Sequence, residues 1–172
     1  AEEKQLTVDE KGFDEEMEKQ KQRSKKSSAQ KVYDWVVLEE KTESFVGYDQ
    51  LETETYITRY RKVENKDGEF YQIVLSKSPF YPEGGGQIGD KGILIPSYTE
   101  GFDLSKPSVF DIKDCTEIIE VLETRKENNL IVSLIKDLPK DAGAVFYAKV
   151  NESERRNSQA NHSVTHLLHE AL

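Results

Sequence analysis

Short apolar and β-branched runs dominate the middle of the chain, and they predict β-strands rather than helices. Residues 53–63 are rich in threonine, tyrosine, isoleucine and valine, and a turn signal at 65–68 joins them to a second apolar run at 70–75. This pair is typical of a β-hairpin. The other predicted strands are 35–38, 92–95, 109–116, 118–124, 130–135 and 145–150, and the predicted turns are 128–129 and 139–143.

The order of these elements indicates the fold class. About seven short strands follow one another between residues 31 and 150, with no helical pattern between them. Successive strands without intervening helices favour antiparallel pairing over a parallel sheet. We therefore predict a mainly β chain whose body is a small closed or partly closed antiparallel β-barrel.

Two segments with a helical composition flank the predicted barrel. Residues 8–30 are rich in glutamate, lysine and glutamine, which are good helix formers, and become basic toward their end. They read as a solvated helix or linker, or alternatively as an RNA-facing or interdomain helix. At the other flank, Asn151 is a favourable N-cap, and Glu154 stands where it can reach back to complete a capping box. A second helix is therefore predicted from about residue 152 to the end.

Composition narrows the partners that this chain can have by itself. The 172 residues carry a net charge of -9, whereas domains that bind nucleic acid on their own usually carry an excess of lysine and arginine. We therefore expect only weak nucleic-acid binding by the chain alone. The single Cys115 cannot form an internal disulfide, which fits a reducing compartment such as the cytoplasm. No apolar stretch approaches the ~18 residues of a membrane span, and we expect no membrane partner.

The last twelve residues contain all three histidines of the chain. His162 and His166 are four residues apart, which in a helix is a rotation of about 400°, so both rings lie on one face. Two imidazoles in that arrangement can bind one metal ion, although polar helix residues facing solvent would show the same spacing. Thr165 precedes the second histidine, and its hydroxyl suits either contact with a substrate or simple packing.

A glycine-rich segment is the second candidate for chemistry. Gly84, Gly85 and Gly86 lie inside FYPEGGGQIGD at residues 80–90. Consecutive glycines are costly in backbone entropy, but they let a ligand or another chain approach bare N–H groups closely. The segment lacks the lysine of a phosphate-binding P-loop and the spacing of a dinucleotide fingerprint. A tight loop between strands is the simplest alternative.

Together, the motif at 80–90 and the motif NHSVTHLLH at 161–169 resemble the editing region of the alanyl-tRNA synthetase family. Freestanding alanyl-tRNA editing proteins share that region. Residues 11–20 resemble the segment that leads from the aminoacylation and tRNA-recognition part of the synthetase into its editing part, which favours the synthetase.

The resemblance implies a division of the chain into three parts. Residues 1–30 would be a helical lead-in, residues 31–150 a β-barrel like those of translation proteins, and residues 151–172 the first helix of an α/β editing core. The chain begins with alanine and ends inside a predicted helix, so we expect it to be a piece of a longer protein.

The resemblance also implies a function for the parent enzyme. It would use ATP, bound outside this chain, to attach alanine to tRNA(Ala), and it would hydrolyse tRNA(Ala) mischarged with serine or glycine. A pocket alone discriminates poorly between such similar amino acids, which makes a second, hydrolytic site useful. The rival hypotheses are a freestanding editing hydrolase and a non-catalytic barrel that binds RNA or protein.

Residue roles follow from the same resemblance. The family binds Zn²⁺ through His-x-x-x-His and a later Cys-x-x-x-His; His162 and His166 match the first half, and Cys115 is not assigned as a ligand. Thr165 would line the aminoacyl pocket. The barrel residues implied to face that pocket are Gly84, Gly85, Gly86 and Gln87. Because two ligands make half a zinc site, we expect the chain to be inactive alone.

Overall fold

The computed structural model describes residues 30–84, 87–100, 102–103 and 115–160. Within these ranges the chain forms ten β-strands and one helix, α1, at 152–160. The strands are β1 Lys31–Val32, β2 Val36–Val37, β3 Ser44–Phe45, β4 Glu52–Asn65, β5 Gly68–Leu75, β6 Lys77–Ser78, β7 Gly92–Pro96, β8 Ile119–Glu127, β9 Leu130–Ile135 and β10 Val145–Val150.

Six of the strands close into an antiparallel barrel in the order β4-β10-β7-β8-β9-β5, and β5 pairs again with β4. Closure depends on the length of β4. Its first half pairs with β10, from Glu52 to Tyr56, and its second half pairs with β5, from Ile57 to Asn65. The short strands β1 and β2 pair with β4 beyond the point where β10 ends. The predicted mainly β fold with a closed barrel is confirmed.

Alternate residues of each strand point into the barrel. The inward-pointing residues are apolar and form one buried core cluster. Each fully buried aliphatic or aromatic side chain contributes about 1.5–3 kcal/mol to folding. Phe80, which begins the glycine-rich motif rather than a strand, is fully buried in the same cluster. The motif therefore starts from a residue fixed in the core. The strand residues of this cluster include Ile57, Ile73, Leu75, Leu94, Val121, Ile135 and Phe146.

The predicted turns are present and have the expected chemistry. At the β4–β5 turn, Asn65 Oδ1 accepts a hydrogen bond of 2.8 Å from the Asp67 backbone N–H. Asn128 and Asn129 join β8 to β9 with φ of 47° and 69°. Two left-handed residues form the tight turn that matches the twist of a hairpin, and asparagine tolerates that conformation well.

Several elements differ from the prediction. Strand 35–38 is reduced to Val36–Val37, and Cys115 and Thr116, the described end of the predicted strand 109–116, are not in a strand. The parallel pair β3–β6 was not predicted, because two-residue strands carry no recognisable period. The predicted helix at 8–30 lies outside the described residues. No helix in the described part of the chain is long and apolar enough to cross a membrane.

Helix α1 begins at the predicted cap, with one difference. Asn151 Oδ1 accepts a hydrogen bond of 3.4 Å from the Glu154 backbone N–H, as an N-cap should. Glu154 reaches back as predicted, but it accepts from the Asn151 side-chain amide at 3.0 Å. The Asn151 backbone N–H is unavailable to Glu154 because it donates to Lys91 O at 2.9 Å. The cap thus joins α1 to the chain just before β7.

Candidate functional site

The glycine loop, residues 81–90, folds back on itself. Gly84 N donates to Gln87 O at 3.1 Å, and Gln87 N donates to Gly84 O at 3.0 Å. Gly85 and Gly86, between them, lie outside the described residues. At the base of the loop, Asp90 N donates to Tyr81 O at 2.9 Å. Two of the predicted site residues, Gly84 and Gln87, are therefore brought together.

The loop lies directly against strand β8. Glu83 N donates to Thr124 O at 2.9 Å. A Cβ placed on Gly89 would stand 1.8 Å from that same Thr124 oxygen, so only glycine fits there. Gly84 is different, since a Cβ there would meet nothing closer than Pro82 O at 3.9 Å among the described residues. Close packing explains Gly89, whereas Gly84 has room around it.

A buried ion pair joins the glycine loop to helix α1. Arg155 is 6% exposed and Asp90 is 4% exposed. Arg155 Nε lies 2.8 Å from Asp90 Oδ1 and 2.7 Å from Oδ2, and Arg155 NH2 also contacts Oδ2. The other guanidinium N–H groups donate to Gly47 O at 2.9 Å and Pro79 O at 3.0 Å. Tyr81 N donates to Asp90 Oδ2 at 2.7 Å, which completes the network.

This network fixes the relation between four parts of the chain. A buried charge is tolerated only when it is paired and hydrogen-bonded, and Arg155 and Asp90 satisfy each other and two backbone carbonyls. Sequence reasoning missed this pair, although Asp90 stood inside the glycine motif and Arg155 in the first turns of the helix. The two residues are 65 positions apart, and no local pattern links them.

Gln87 carries a polar group that the described residues leave unsatisfied. Its Nε2 is buried, with no hydrogen-bond acceptor in the described part of the chain. An unmade hydrogen bond at a buried amide costs about 1–3 kcal/mol, so a group that accepts from Nε2 would be favourable there. Arg59 Nε and Gln72 Nε2 are in the same situation, so the unsatisfied donor alone does not distinguish Gln87.

Tyr81 of the glycine loop and two neighbouring aromatic residues form a cluster of three rings. The ring centroids of Phe45 and Tyr48 are 4.9 Å apart with planes at 82°. Tyr81 lies 6.0 Å from Phe45 at 69° and 6.3 Å from Tyr48 at 66°. These rings line, together with Glu83 and Gly84, a cleft of about 440 Å³ that we call the aromatic cleft. Edge-to-face contacts of this kind hold the rings in fixed orientations.

Two other depressions adjoin α1. A crevice of about 240 Å³ separates the loop residues Ile88 and Gly89 from Asn157 and Ser158 of the helix. A larger groove of about 760 Å³ runs over β7, β8 and β10 to the start of α1. Of these two depressions, the crevice lies between the glycine loop and α1, the helix that precedes the histidine motif in sequence.

The resolved pKa shifts include a group of charged side chains on the barrel surface. A hydrogen bond from the Tyr33 hydroxyl, and then one from Lys62, lowers the pKa of the Glu64 carboxyl. Contacts with Glu69 and Glu64 raise the pKa of Lys62. Burial raises the pKa of Tyr147. The Lys62, Glu64 and Tyr33 contacts join β4 to its neighbours on the outside of the barrel.

The predicted metal ligands, His162 and His166, lie outside the described residues, as does the predicted pocket residue Thr165. Within the described ranges, no three histidine, cysteine, aspartate or glutamate side chains are grouped so as to hold a metal ion. Cys115 is half-buried, and it belongs to no such group. A metal site with three such ligands would therefore include residues outside the described ranges.

Comparison with known proteins identifies the family. The family described as tRNA synthetases class II (A) matches residues 1–156. The alanine–tRNA ligase of Christiangramia forsetii is 50% identical over 167 residues, which are 96% of this chain and 17% of that protein. That of Porphyromonas gingivalis is 47% identical over 97% of this chain and 17% of its own length. That of Cytophaga hutchinsonii is 46% identical over 100% and 18%.

The chain thus spans less than a fifth of the length of these curated relatives. The resemblance read from the glycine and histidine motifs is confirmed at the level of the family. Because the family match extends over residues 1–156 and the relatives align with nearly all of the chain, this protein belongs to the class II (A) tRNA synthetase family.

Proposed function

We propose that this chain is the segment of an alanine–tRNA ligase in which the β-barrel meets the beginning of an editing site. The parent enzyme would attach alanine to tRNA(Ala) with ATP in translation, and the editing site would hydrolyse tRNA(Ala) mischarged with serine or glycine in the cytoplasm. The observation that carries this proposal is the buried pair Arg155–Asp90. It holds the glycine loop against the helix that precedes His162 and His166 in sequence.

The geometry of the loop supports binding of an aminoacyl ester. Among the described residues, a Cβ on Gly84 would meet only Pro82 O, at 3.9 Å, and Gln87 has a buried N–H donor without an acceptor. A donor of this kind can bind the carbonyl oxygen of an ester and orient it. We assign that role to Gln87, and we assign the backbone of Gly84, Gly85 and Gly86 to the wall of the pocket.

The histidine motif is the part of the sequence that supports a zinc site. Ser158 faces the crevice beside the glycine loop, and His162 follows it by four residues. If α1 continues with its regular period, both histidines fall on the face of Ser158. Imidazole pairs at this spacing suit Zn²⁺, which when bound polarises a carbonyl or activates water. Thr165 would then adjoin the same pocket.

The donor count predicts how the 172 residues behave by themselves. Two imidazoles are fewer ligands than the four that zinc usually takes, so the remaining ligands would come from residues outside this chain. We therefore expect weak zinc binding and slow hydrolysis of seryl-tRNA(Ala) by the 172 residues alone. Tight binding of one zinc ion per monomer would contradict this expectation.

The test uses the full-length protein that contains this chain. His162→Ala and Gln87→Ala should each slow hydrolysis of seryl-tRNA(Ala) by more than about tenfold, because His162 would hold the zinc ion and Gln87 would bind the ester carbonyl. Alanylation of tRNA(Ala) should remain unchanged. Metal analysis should show loss of zinc in His162→Ala and full zinc in Gln87→Ala, which separates the two roles.

Tyr98→Ala serves as the control, since Tyr98 is an exposed tyrosine that does not line the aromatic cleft or the crevice beside α1. Unchanged seryl-tRNA hydrolysis in His162→Ala would refute the editing assignment. It would leave the non-catalytic barrel as the better explanation. A freestanding hydrolase would instead show editing without any alanylation.

A further inference from the structure

Tyr48 is a large aromatic residue that is mostly exposed, so its ring contributes little to the buried core. Its side chain is 80% exposed, in a turn directly after β3. The turn is nonetheless well fixed, because Asp49 N and Gln50 N both donate to Val46 O, at 3.2 and 3.0 Å. The Phe45 ring, at 4.9 Å and 82°, holds the tyrosine ring from the side. The result is an ordered aromatic surface that faces solvent, a feature typical of recognition sites.

The surroundings of Tyr48 narrow the ligand class. The aromatic cleft has apolar residues in its lining, Leu75 and Ile131, together with the carboxylate of Glu83 and the ammonium of Lys126. The second carboxylate in the lining, Glu43, is already bound by Arg59 at 2.7 Å. Glu83 and Lys126 then leave the lining with one negative and one positive charge, and with no excess of negative charge for a cationic ligand. A flat heteroaromatic ring suits the aromatic surface, with a phosphate near Lys126 and an exocyclic amino group near Glu83.

The position of the cleft identifies the ring. Gly84 belongs both to the glycine loop and to the lining of the aromatic cleft. In an aminoacyl-tRNA the ester is carried by the ribose of the terminal nucleotide, so the base of that nucleotide must bind next to the ester. We infer that the aromatic cleft binds the unpaired 3′-terminal base of the RNA and that this base stacks on Tyr48. The inference rests on the proposed function, in which the ester lies at Gly84 and Gln87.

Stacking sets the size of the effect. A base stacked on an aromatic side chain contributes about 1–3 kcal/mol, and every base has a suitable face. At 1.4 kcal/mol per factor of ten, loss of the ring weakens binding by about 5- to 150-fold. The net charge of -9 opposes binding of the phosphate backbone, so we expect low affinity for a short strand. Most of that affinity should come from the presence of the stacked 3′-terminal base.

The experiment titrates the 172-residue chain at low salt with a tetranucleotide RNA ending in adenosine, and with the same strand lacking its 3′-terminal base. We expect binding of the complete strand only. Tyr48→Ala should weaken binding by about 5- to 150-fold, and Tyr48→Phe, which keeps the ring, should bind like the unmodified chain. Tyr98→Ala, an exposed tyrosine outside the cleft, should also bind normally.

Three results would overturn the inference: no binding at millimolar RNA, equal binding of the strand without its terminal base, or equal binding by Tyr48→Ala. Circular dichroism would verify that the variants are folded, as expected for a side chain so exposed. The editing assignment is tested separately by His162→Ala in the parent enzyme. Tyr48-dependent binding together with unchanged hydrolysis in His162→Ala would refute editing and leave the base site standing.

Discussion

The two sides of helix α1 carry adjacent arginines with very different surroundings. The Arg155 side chain is 6% exposed and pairs with Asp90 of the glycine loop. The Arg156 side chain is 74% exposed and pairs with Glu152 one turn earlier in the same helix. One residue of sequence separates an ion pair that holds distant segments together from one that stays within a single helix.

This difference shows that the identity of a charged residue says little about its contribution. Breaking a buried pair leaves the remaining charge without water and is strongly destabilising, whereas exposed pairs contribute little and are screened by salt. The rotation of about 100° per residue in a helix is enough to move a side chain from one situation to the other. Which arginine lies inward is therefore decided by how α1 rests on the barrel.

The largest expected effect comes from removing each arginine in turn. Arg155→Ala should lower the free energy of unfolding by about 3–5 kcal/mol, because Asp90 would remain buried without its cation. Arg156→Ala, the matched control, should change it by about 0.5 kcal/mol or less. Urea unfolding monitored by circular dichroism measures both. Equal effects of the two substitutions would contradict the contrast between the two sides.

A smaller effect is expected when the charge is kept but its shape is changed. Arg155→Lys preserves the positive charge, but one ammonium cannot reach Asp90, Gly47 O and Pro79 O in the geometry of a guanidinium. We expect a loss of about 1–3 kcal/mol, from unsatisfied hydrogen bonds. Arg156→Lys should be neutral. A fully stable Arg155→Lys protein would mean that charge alone, and not the hydrogen-bond geometry, stabilises this contact.

The smallest effect concerns partly exposed charges on the β4–β5 hairpin, which lie at the surface like Arg156. The pKa of Glu64 is lowered in the folded chain from its ordinary 4.5, first by the Tyr33 hydroxyl and then by Lys62. A carboxyl with a lowered pKa stabilises the fold above its ordinary pKa and loses that contribution as the pH falls through the folded value.

The difference in unfolding midpoint between the unmodified chain and Glu64→Gln should therefore be small at pH 7 and vanish below pH 4.5. Tyr33→Phe, which removes the principal cause of the shift, should reduce the same pH dependence. A difference that grows toward acid pH would have the wrong sign for this contact.

Much of the fold could be predicted from local pattern. The hairpin at 65–68, the paired asparagines at 128–129 and the cap at Asn151 are short-range signals, and all three are present. The brief pair β3–β6 could not be predicted, since two-residue strands form only because the chain around them is already positioned. The roles of Gly84 and Gln87 at the candidate site stay predictions, whereas the contacts of Asp90, Arg155 and Tyr48 were not predicted.

The sequence by itself determined the class of this protein, because strand periodicity, turn residues and two spaced motifs are properties of neighbouring residues. The tertiary structure alone decided which charges and rings meet. Arg155 finds Asp90 across 65 positions, and Tyr48 joins Tyr81 beside the glycine loop, only after the barrel has closed. Contacts of that kind depend on packing over the whole domain, and no local pattern of residues specifies them.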